Sequence, residues 1–324
     1  MKNFLQKLDD QIMEGISIGR RFPAPDWSRS VSKVIFCGMG GSAIGGDILR
    51  ILVTNHKSMA FKVQRTGKLP AWVDSSTLVV FSSYSGNTPE ILQNVTAAKK
   101  AKAKILILSS GGKLALLAAK NKIPFLQVPG GLPPRCAIGY LTFSLVPVFG
   151  KWGWLKFSDR EVLEIIRTVR GVSHARAKSL AKKLYGRSVH FYGFSAFAEP
   201  VLTRWRAQFA ENAKTLASSH LIPEMLHNEI EGWQFPKEII RKSSAVFFSD
   251  QNDPLWLRRK IKAAQKTIQR AGADVIEIKS FGHSLVARLF FLLVLADWVS
   301  YELAILNKVD PISIPVIESL KKVG

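Results

Sequence analysis

The chain has 324 residues and a mass of 36.0 kDa, enough for roughly two domains at about 150 residues each. Its 47% hydrophobic and 22% charged composition excludes a largely disordered protein. The balance of 46 Lys and Arg against 24 Asp and Glu gives +22, a charge that attracts polyanions or anionic substrates, or reflects the ionic habits of the host cell.

Phe4, Leu5, Leu8, Ile12 and Ile16 share one helical stripe, so the chain opens with an amphipathic helix that Pro23 and Pro25 end. Strands and helices then alternate. Val34–Cys37, Leu78–Phe81, Ile105–Leu108 and the run IPFLQV at 123–128 read as strands, with a helix at 89–101 between two of them. A helix over roughly 159–184 follows. Val189–Phe194, Ala245–Phe248 and Val275–Ile278 are further strands, and helices fall near 198–217, 255–271 and 284–306. Continuous apolar strands imply burial on both faces, hence parallel sheets covered by helices. The fold class expected is α/β, two domains of similar plan, residues 1–152 and 153–324, with the divide near Gly150–Gly153. Strand order is not readable.

Residues 151–187 carry ten basic against three acidic residues, and residues 237–272 nine against three. Both also show apolar residues at helical spacing, so solvated helix faces are expected. No helix-turn-helix signature or aromatic-basic repeat is present, and a nucleic-acid partner is not expected. The longest apolar run, Leu289–Ala296, has eight residues, far short of the ~20 that span a bilayer, so it reads as a buried helix and no membrane partner is expected. The N-terminus MKNFLQKLDD has no apolar block behind its lysines, and a signal peptide is not expected. Cys37 and Cys136 have no short-motif or zinc spacing; they read as buried small residues in a reducing compartment.

Four segments carry candidate chemistry. Gly38-Met39-Gly40-Gly41-Ser42-Ala43-Ile44-Gly45-Gly46 leaves a strand and opens a helix; it is either an anion site at a helix start or a crowded junction that needs small residues. In Ser82-Ser83-Tyr84-Ser85-Gly86-Asn87-Thr88-Pro89-Glu90, Thr88, Pro89 and Glu90 suit a helix start, while Ser83, Ser85 and Gly86 suit a phosphate held by hydroxyls without a lysine. Gly130-Gly131-Leu132-Pro133-Pro134-Arg135-Cys136 is either a stiff approach that fixes a guanidinium beside developing negative charge, or a surface loop with a solvated arginine. The stretch from Glu211-Asn212-Ala213-Lys214 to Glu224-Met225-Leu226-His227-Asn228-Glu229-Ile230-Glu231-Gly232-Trp233 gathers four glutamates in a chain short of acids. His220, His227 and these carboxylates are the residues that could be read as metal ligands, and no metal is expected. His283 reads as a helix-start residue.

The combination F-C-G-M-G-G-S-A-I-G-G-D, S-Y-S-G-N-T-P-E, P-P-R-C-A-I-G-Y, E-N-A-K and H-N-E-I-E-G-W, in this order from about Val34 to Lys321, resembles the bifunctional phosphoglucose/phosphomannose isomerase family of archaea and some bacteria. That resemblance implies two sugar isomerase (SIS) domains and an aldose–ketose interconversion of glucose 6-phosphate and mannose 6-phosphate with fructose 6-phosphate through a cis-enediolate. It implies that Gly41, Ser42, Ser83, Ser85 and Thr88 hold the sugar phosphate, the last three on the phosphate itself. Glu211 matches the base that moves a proton between C1 and C2, and Arg135 the arginine beside the enediolate oxygen. His227 matches the ring-opening histidine, which in this family reaches in from the partner of a homodimer; Lys321 matches a C-terminal lysine that returns to the site. No metal and no redox cofactor are implied, and the location implied is cytoplasmic. A partly shielded carboxylate is a competent base, and a fixed arginine stabilises the oxyanion that proton removal creates. One departure stands out: the family pattern V-D-P-T-P is here Val309-Asp310-Pro311-Ile312-Ser313, which puts Ile312 where a threonine lies near C2 and leaves the epimer balance open. The other readings are a sugar-phosphate-sensing SIS protein without catalysis and an isomerase of another phosphosugar.

Overall fold

The computed structural model describes residues 1–321 and 323. The chain forms two compact units, Gln6–Ile166, and Arg167–Gly324 together with Met1–Leu5.

In the N-terminal unit, strands β1 (Lys33–Gly38), β2 (Ala60–Gln64), β3 (Thr77–Ser82), β4 (Lys104–Ser109) and β5 (Phe125–Gln127) form an all-parallel sheet in the order β2-β1-β3-β4-β5. β1 sits between β2 and β3, with Val34 opposite both Phe61 and Leu78. The central strands read as solid apolar runs because both faces are covered: Ile35, Cys37, Val79, Phe81, Ile105 and Ile107 pack with Ile91, Val95 and Leu114 from helices Pro89–Lys100 and Gly112–Asn121.

In the C-terminal unit, β6 (Ser188–Phe194), β7 (Ala217–Ile222), β8 (Ser243–Ser249) and β9 (Asp274–Lys279) are again all parallel, in the order β7-β6-β8-β9. The first strand of each unit is therefore flanked by the second on one side and the third on the other. The α/β fold expected from sequence is present, with two helix-flanked parallel sheets of one plan.

The departures from the sequence reading have local causes. β2 and β7 are absent from it because AFKVQ and ASSHLI alternate or stay polar, and half-exposed strands need no apolar run. The helix expected near 198–217 is Ser195–Glu211, and its last expected residue lies in β7. The helix expected over 159–184 is two, Asp159–Arg170 and His174–Leu184, broken at Gly171, where the Ser173 hydroxyl accepts from the Arg176 N–H and caps the second. The opening stripe is likewise two helices, Lys2–Gln6 and Leu8–Arg21, with Leu5, Leu8, Ile12 and Ile16 buried as expected.

Leu289–Ala296 lies in helix Leu285–Leu306, whose 22 residues are long and apolar enough to cross a membrane by length and composition. Every residue from Val286 to Ser300 is buried, so this is the core helix of the C-terminal unit. Ser284 caps it through the Ala287 N–H, which makes His283 the residue just before the cap. Helix Ser195–Glu211 packs along it. Arg204, 2% exposed, donates from Nε and Nη2 to the Asp297 carboxylate at 2.9 and 2.8 Å, and Gln208 Nε2 donates to the same carboxylate at 2.6 Å. Trp205 Nε1 donates to the Leu292 carbonyl at 2.9 Å.

Removing one member of a buried pair strands the other charge without water, so Asp297→Asn is expected to destabilise the protein by about 3–5 kcal/mol. Urea unfolding of variant and parent measures it; a loss below about 1 kcal/mol would mean that the pair is not what aligns the two helices.

Candidate active site

In an open parallel sheet of order 2-1-3-4, the loops after strands 1 and 3 lead into helices on opposite faces and leave a crevice at the carboxyl ends, the usual place for a ligand. In the N-terminal unit those two loops are Met39–Gly40, between β1 and helix Gly41–His56, and Ser83–Thr88, between β3 and helix Pro89–Lys100. The first two sequence candidates are thus neighbours at the switch point.

The glycine segment is a crowded junction, and the residue that crowds it is chemically informative. A Cβ on Gly41 would lie 2.8 Å from the Arg135 Cα and 3.0 Å from the Pro134 carbonyl. Gly45 and Gly46 are similarly close to the Leu141 carbonyl and the Phe36 ring. Gly41 therefore admits the 3₁₀ turn Pro134–Cys136 to the start of the helix. The Ser42 and Ala43 N–H groups are already spent on the Met39 and Gly40 carbonyls, so they are not free for an anion. Arg135 is 3% exposed, which removes the alternative of a solvated surface arginine.

The serine loop is fixed from several sides. The Ser42 hydroxyl accepts from the Tyr84 N–H at 3.1 Å, and the Ser82 hydroxyl donates to the Ser42 carbonyl at 3.2 Å. The Tyr84 carbonyl accepts from Ser110 Oγ at 2.6 Å, and its phenol donates to the Pro129 carbonyl and accepts from the Leu132 N–H. Tyr84 thereby ties the serine loop to the segment that leads into Arg135, a role the sequence motif contained but did not reveal. Ser83 Oγ and Thr88 Oγ1 are 2.7 Å apart, and Ser85 Oγ accepts from the Asn87 N–H. Thr88 holds the N-cap position as expected, but its hydroxyl pairs with Ser83 and makes no cap bond. Ser83 is buried, Ser85 exposed and Thr88 half-buried. At the strand end below, Cys37 is buried, its thiol pushed up to about 12 by burial; Cys136 is buried as well, and neither enters a disulfide.

The corresponding switch point of the C-terminal unit has another character. The loop after β8 carries Asp250 and Asp253. Buried Arg288 donates to Asp250 from Nε at 2.8 Å, Ser280 donates to the same oxygen, and burial pushes the Asp253 carboxyl upward. Asp253 in turn accepts from the Asp250 N–H at 2.7 Å, so the polar groups of this loop are engaged with one another, whereas the hydroxyls of the N-terminal unit suit a phosphate.

The acid-rich stretch divides into two places in the C-terminal unit. Glu211 is the last residue of helix Ser195–Glu211, half-buried, seven positions beyond Arg204. His227 closes the 3₁₀ turn Glu224–His227 and is exposed. Just past it, Glu229 is held at both oxygens: the Tyr192 phenol donates to one at 2.6 Å, and His220 Nδ1 lies 2.5 Å from the other. Burial and this neighbouring carboxylate push the Tyr192 phenol upward. Trp233 Nε1 donates to the Tyr192 oxygen, completing a polar network that pins the segment bearing His227. Lys321 follows helix Pro315–Leu320 and is exposed, and Ile312 is 40% exposed. Among the described residues no group of three or more His, Cys, Asp or Glu is arranged to hold a metal ion.

The two helix-flanked parallel-sheet units have the α/β plan of SIS domains. A profile of the bacterial phospho-glucose isomerase C-terminal SIS domain matches residues 173–323. The bifunctional phosphoglucose/phosphomannose isomerase of Caldicellulosiruptor bescii is 35% identical over 97% of this chain and 96% of its own. That of Thermoplasma acidophilum is 32% identical over 98% and 95%. A hypothetical protein of Thermus thermophilus shares the fold, with a TM-score of 0.77 at 16% identity over 99% of this chain and 89% of that one. The chain belongs to the bifunctional phosphoglucose/phosphomannose isomerase family.

Gly86 has φ +68°, and a Cβ there would lie 1.8 Å from the Gly111 carbonyl. Gly86→Ala is expected to cost about 2 kcal/mol or more in stability by chemical denaturation, because both backbone strain and the clash oppose it. An unchanged midpoint would mean that the loop adopts another conformation.

Proposed function

We propose that the protein interconverts glucose 6-phosphate and mannose 6-phosphate with fructose 6-phosphate through a cis-enediolate. The observation that carries this reading is the gathering of Ser42, the Ser83–Thr88 loop and buried Arg135 at one switch point, in a chain related over nearly its full length to isomerases of this name.

Ser83, Ser85 and Thr88 take the phosphate, and Gly41 and Ser42 line the sugar beside it. Hydroxyls suit a dianion because each can turn its hydrogen toward an oxygen, and the following helix start favours negative charge. With the sugar open, the Glu211 carboxylate removes the proton from C2 of the aldose. The electron pair moves into a C1–C2 double bond, and the carbonyl oxygen becomes the enediolate oxygen. Arg135 faces that charge; one well-placed donor contributes roughly 3 kcal/mol to such a transition state. Glu211 then returns the proton to C1, and the hydroxyl proton passes from O2 to O1. His227 opens the pyranose ring, with Lys321 assisting. An exposed histidine on a pinned turn suits a group delivered to the site of a second copy, and we read the protein as a homodimer that shares His227 across its interface. Two buried thiols outside any disulfide suit the reducing cytoplasm, where hexose phosphates enter glycolysis or leave gluconeogenesis.

Chelator-treated protein incubated with each aldose phosphate is expected to form fructose 6-phosphate from both. Turnover of neither ends the isomerase reading; binding without turnover, together with salt-sensitive DNA or RNA binding, supports a sensing protein instead. Glu211→Gln is expected to lower kcat about 10²- to 10⁴-fold while substrate still binds, the usual range for a lost general base. Retained turnover places the base elsewhere.

A further inference from the structure

Helix Ser195–Glu211 ends with carbonyls that have no partner within the helix, as every helix does. Here one side chain links that end to a distant segment. Lys214 has φ +55°, a backbone conformation uncommon outside glycine, and its chain turns back so that Nζ donates to the Glu211 carbonyl at 2.7 Å. The same ammonium donates to two carbonyls about a hundred residues away, Asp310 at 2.7 Å and Ser313 at 2.6 Å. An ammonium has three N–H donors, so these three short bonds saturate it. The Asn212 carbonyl, at 3.5 Å, adds attraction only.

The far side of this contact is a closed turn. The Asp310 carboxylate accepts from the Ile312 N–H at 2.8 Å and the Ser313 N–H at 3.2 Å. Asp310 thus holds the amides of residues 312 and 313, and Lys214 the carbonyls of residues 310 and 313. The near side is braced separately: Asn212 Nδ2 donates to Ser300 Oγ at 2.9 Å, and Asn307 Nδ2 to the Ala213 carbonyl at 2.8 Å. Between these two fixed ends lies Ile312, with 40% of its surface exposed.

We propose that Lys214 is a positioning residue for the isomerase reaction: by sharing one ammonium between the Glu211 carbonyl and the two carbonyls that flank Ile312, it fixes the base-bearing helix end relative to residue 312 and so sets the discrimination between the C2 epimers. This rests on the reading of Glu211 as the base and on the resemblance that sets residue 312 beside C2. Epimer choice is a difference between two transition states, and a side chain can contribute to it only if its position is held while the base acts.

Wild type, Lys214→Met, Ile312→Thr and the double variant are compared for kcat/KM on glucose 6-phosphate and mannose 6-phosphate, and for amide hydrogen exchange. With the clamp intact, Ile312→Thr is expected to change the ratio of the two kcat/KM values by at least about threefold; with Lys214→Met, by less than about 1.5-fold, since coupled residues are not additive. Exchange across residues 309–314 is expected to rise about tenfold or more in Lys214→Met, with the interior of helix Ser195–Glu211 unchanged. Lys214→Arg, which retains several donors, is expected to recover most of the wild-type ratio. An Ile312→Thr effect of equal size in both backgrounds, or unaltered exchange at 309–314, overturns the proposal. If wild type converts neither aldose, the isomerase reading fails, and with it the epimer role; the exchange result then separately decides whether the clamp exists.

Discussion

Arg204 and Asp297 meet where water does not reach, and the geometry of the C-terminal unit follows from that. Desolvating each ion costs several kcal/mol, which attraction and good geometry can offset. The bidentate contact and the added bond from Gln208 supply that geometry. A slide of helix Ser195–Glu211 by one turn along helix Leu285–Leu306 would leave both charges buried and apart. Arg204, Gln208 and Glu211 follow at helical spacing, so the pair that sets the register also sets where the candidate base emerges. The Lys214 clamp extends the same control one turn further, from the helix end to the segment that carries Ile312.

The two units use one strand order for different ends. Each places its first strand between the second and third and so opens a crevice at the carboxyl ends. In the N-terminal unit the loops there bear hydroxyls, and glycines let a buried arginine approach closely. In the C-terminal unit Asp250 occupies the corresponding loop and is consumed by Arg288. What that unit presents instead are the end of one helix and the turns after β7. Duplication of a fold does not duplicate a site; the loop chemistry decides which crevice accepts an anion.

The sequence is most legible where burial is two-sided. β1, β3, β4 and β8 carry unbroken apolar runs because both faces of these strands are covered, and β6 shows an apolar run interrupted by His190 and Gly193. β2 and β7 are invisible for the converse reason. The single long helix expected over 159–184 is an error of punctuation: Gly171 and Ser173 spell a stop and a cap, and apolar spacing on both sides masks them. Among the candidate residues, the motifs mark the right loops, but their internal logic is hidden. Thr88 reads as a cap and is a partner of Ser83; Lys214, which closes E-N-A-K with no role assigned, binds carbonyls about a hundred residues on.

Sequence alone determined what depends on neighbours in the chain: the alternation of strand and helix, the helix starts at Pro89 and Ser284, the hydroxyl-rich turn, and a set of motifs that together point to one family. These rest on periodicity, capping and backbone permissiveness, which act within a few residues. Only the tertiary structure decided that Arg135 is buried against Gly41, that Tyr84 joins the serine loop to the arginine segment, and that one ammonium ties Glu211 to the turn around Ile312. Those are contacts between segments far apart in the chain, and no local pattern encodes them; they exist because the parallel order β2-β1-β3 and the Arg204–Asp297 pair fix which segments meet.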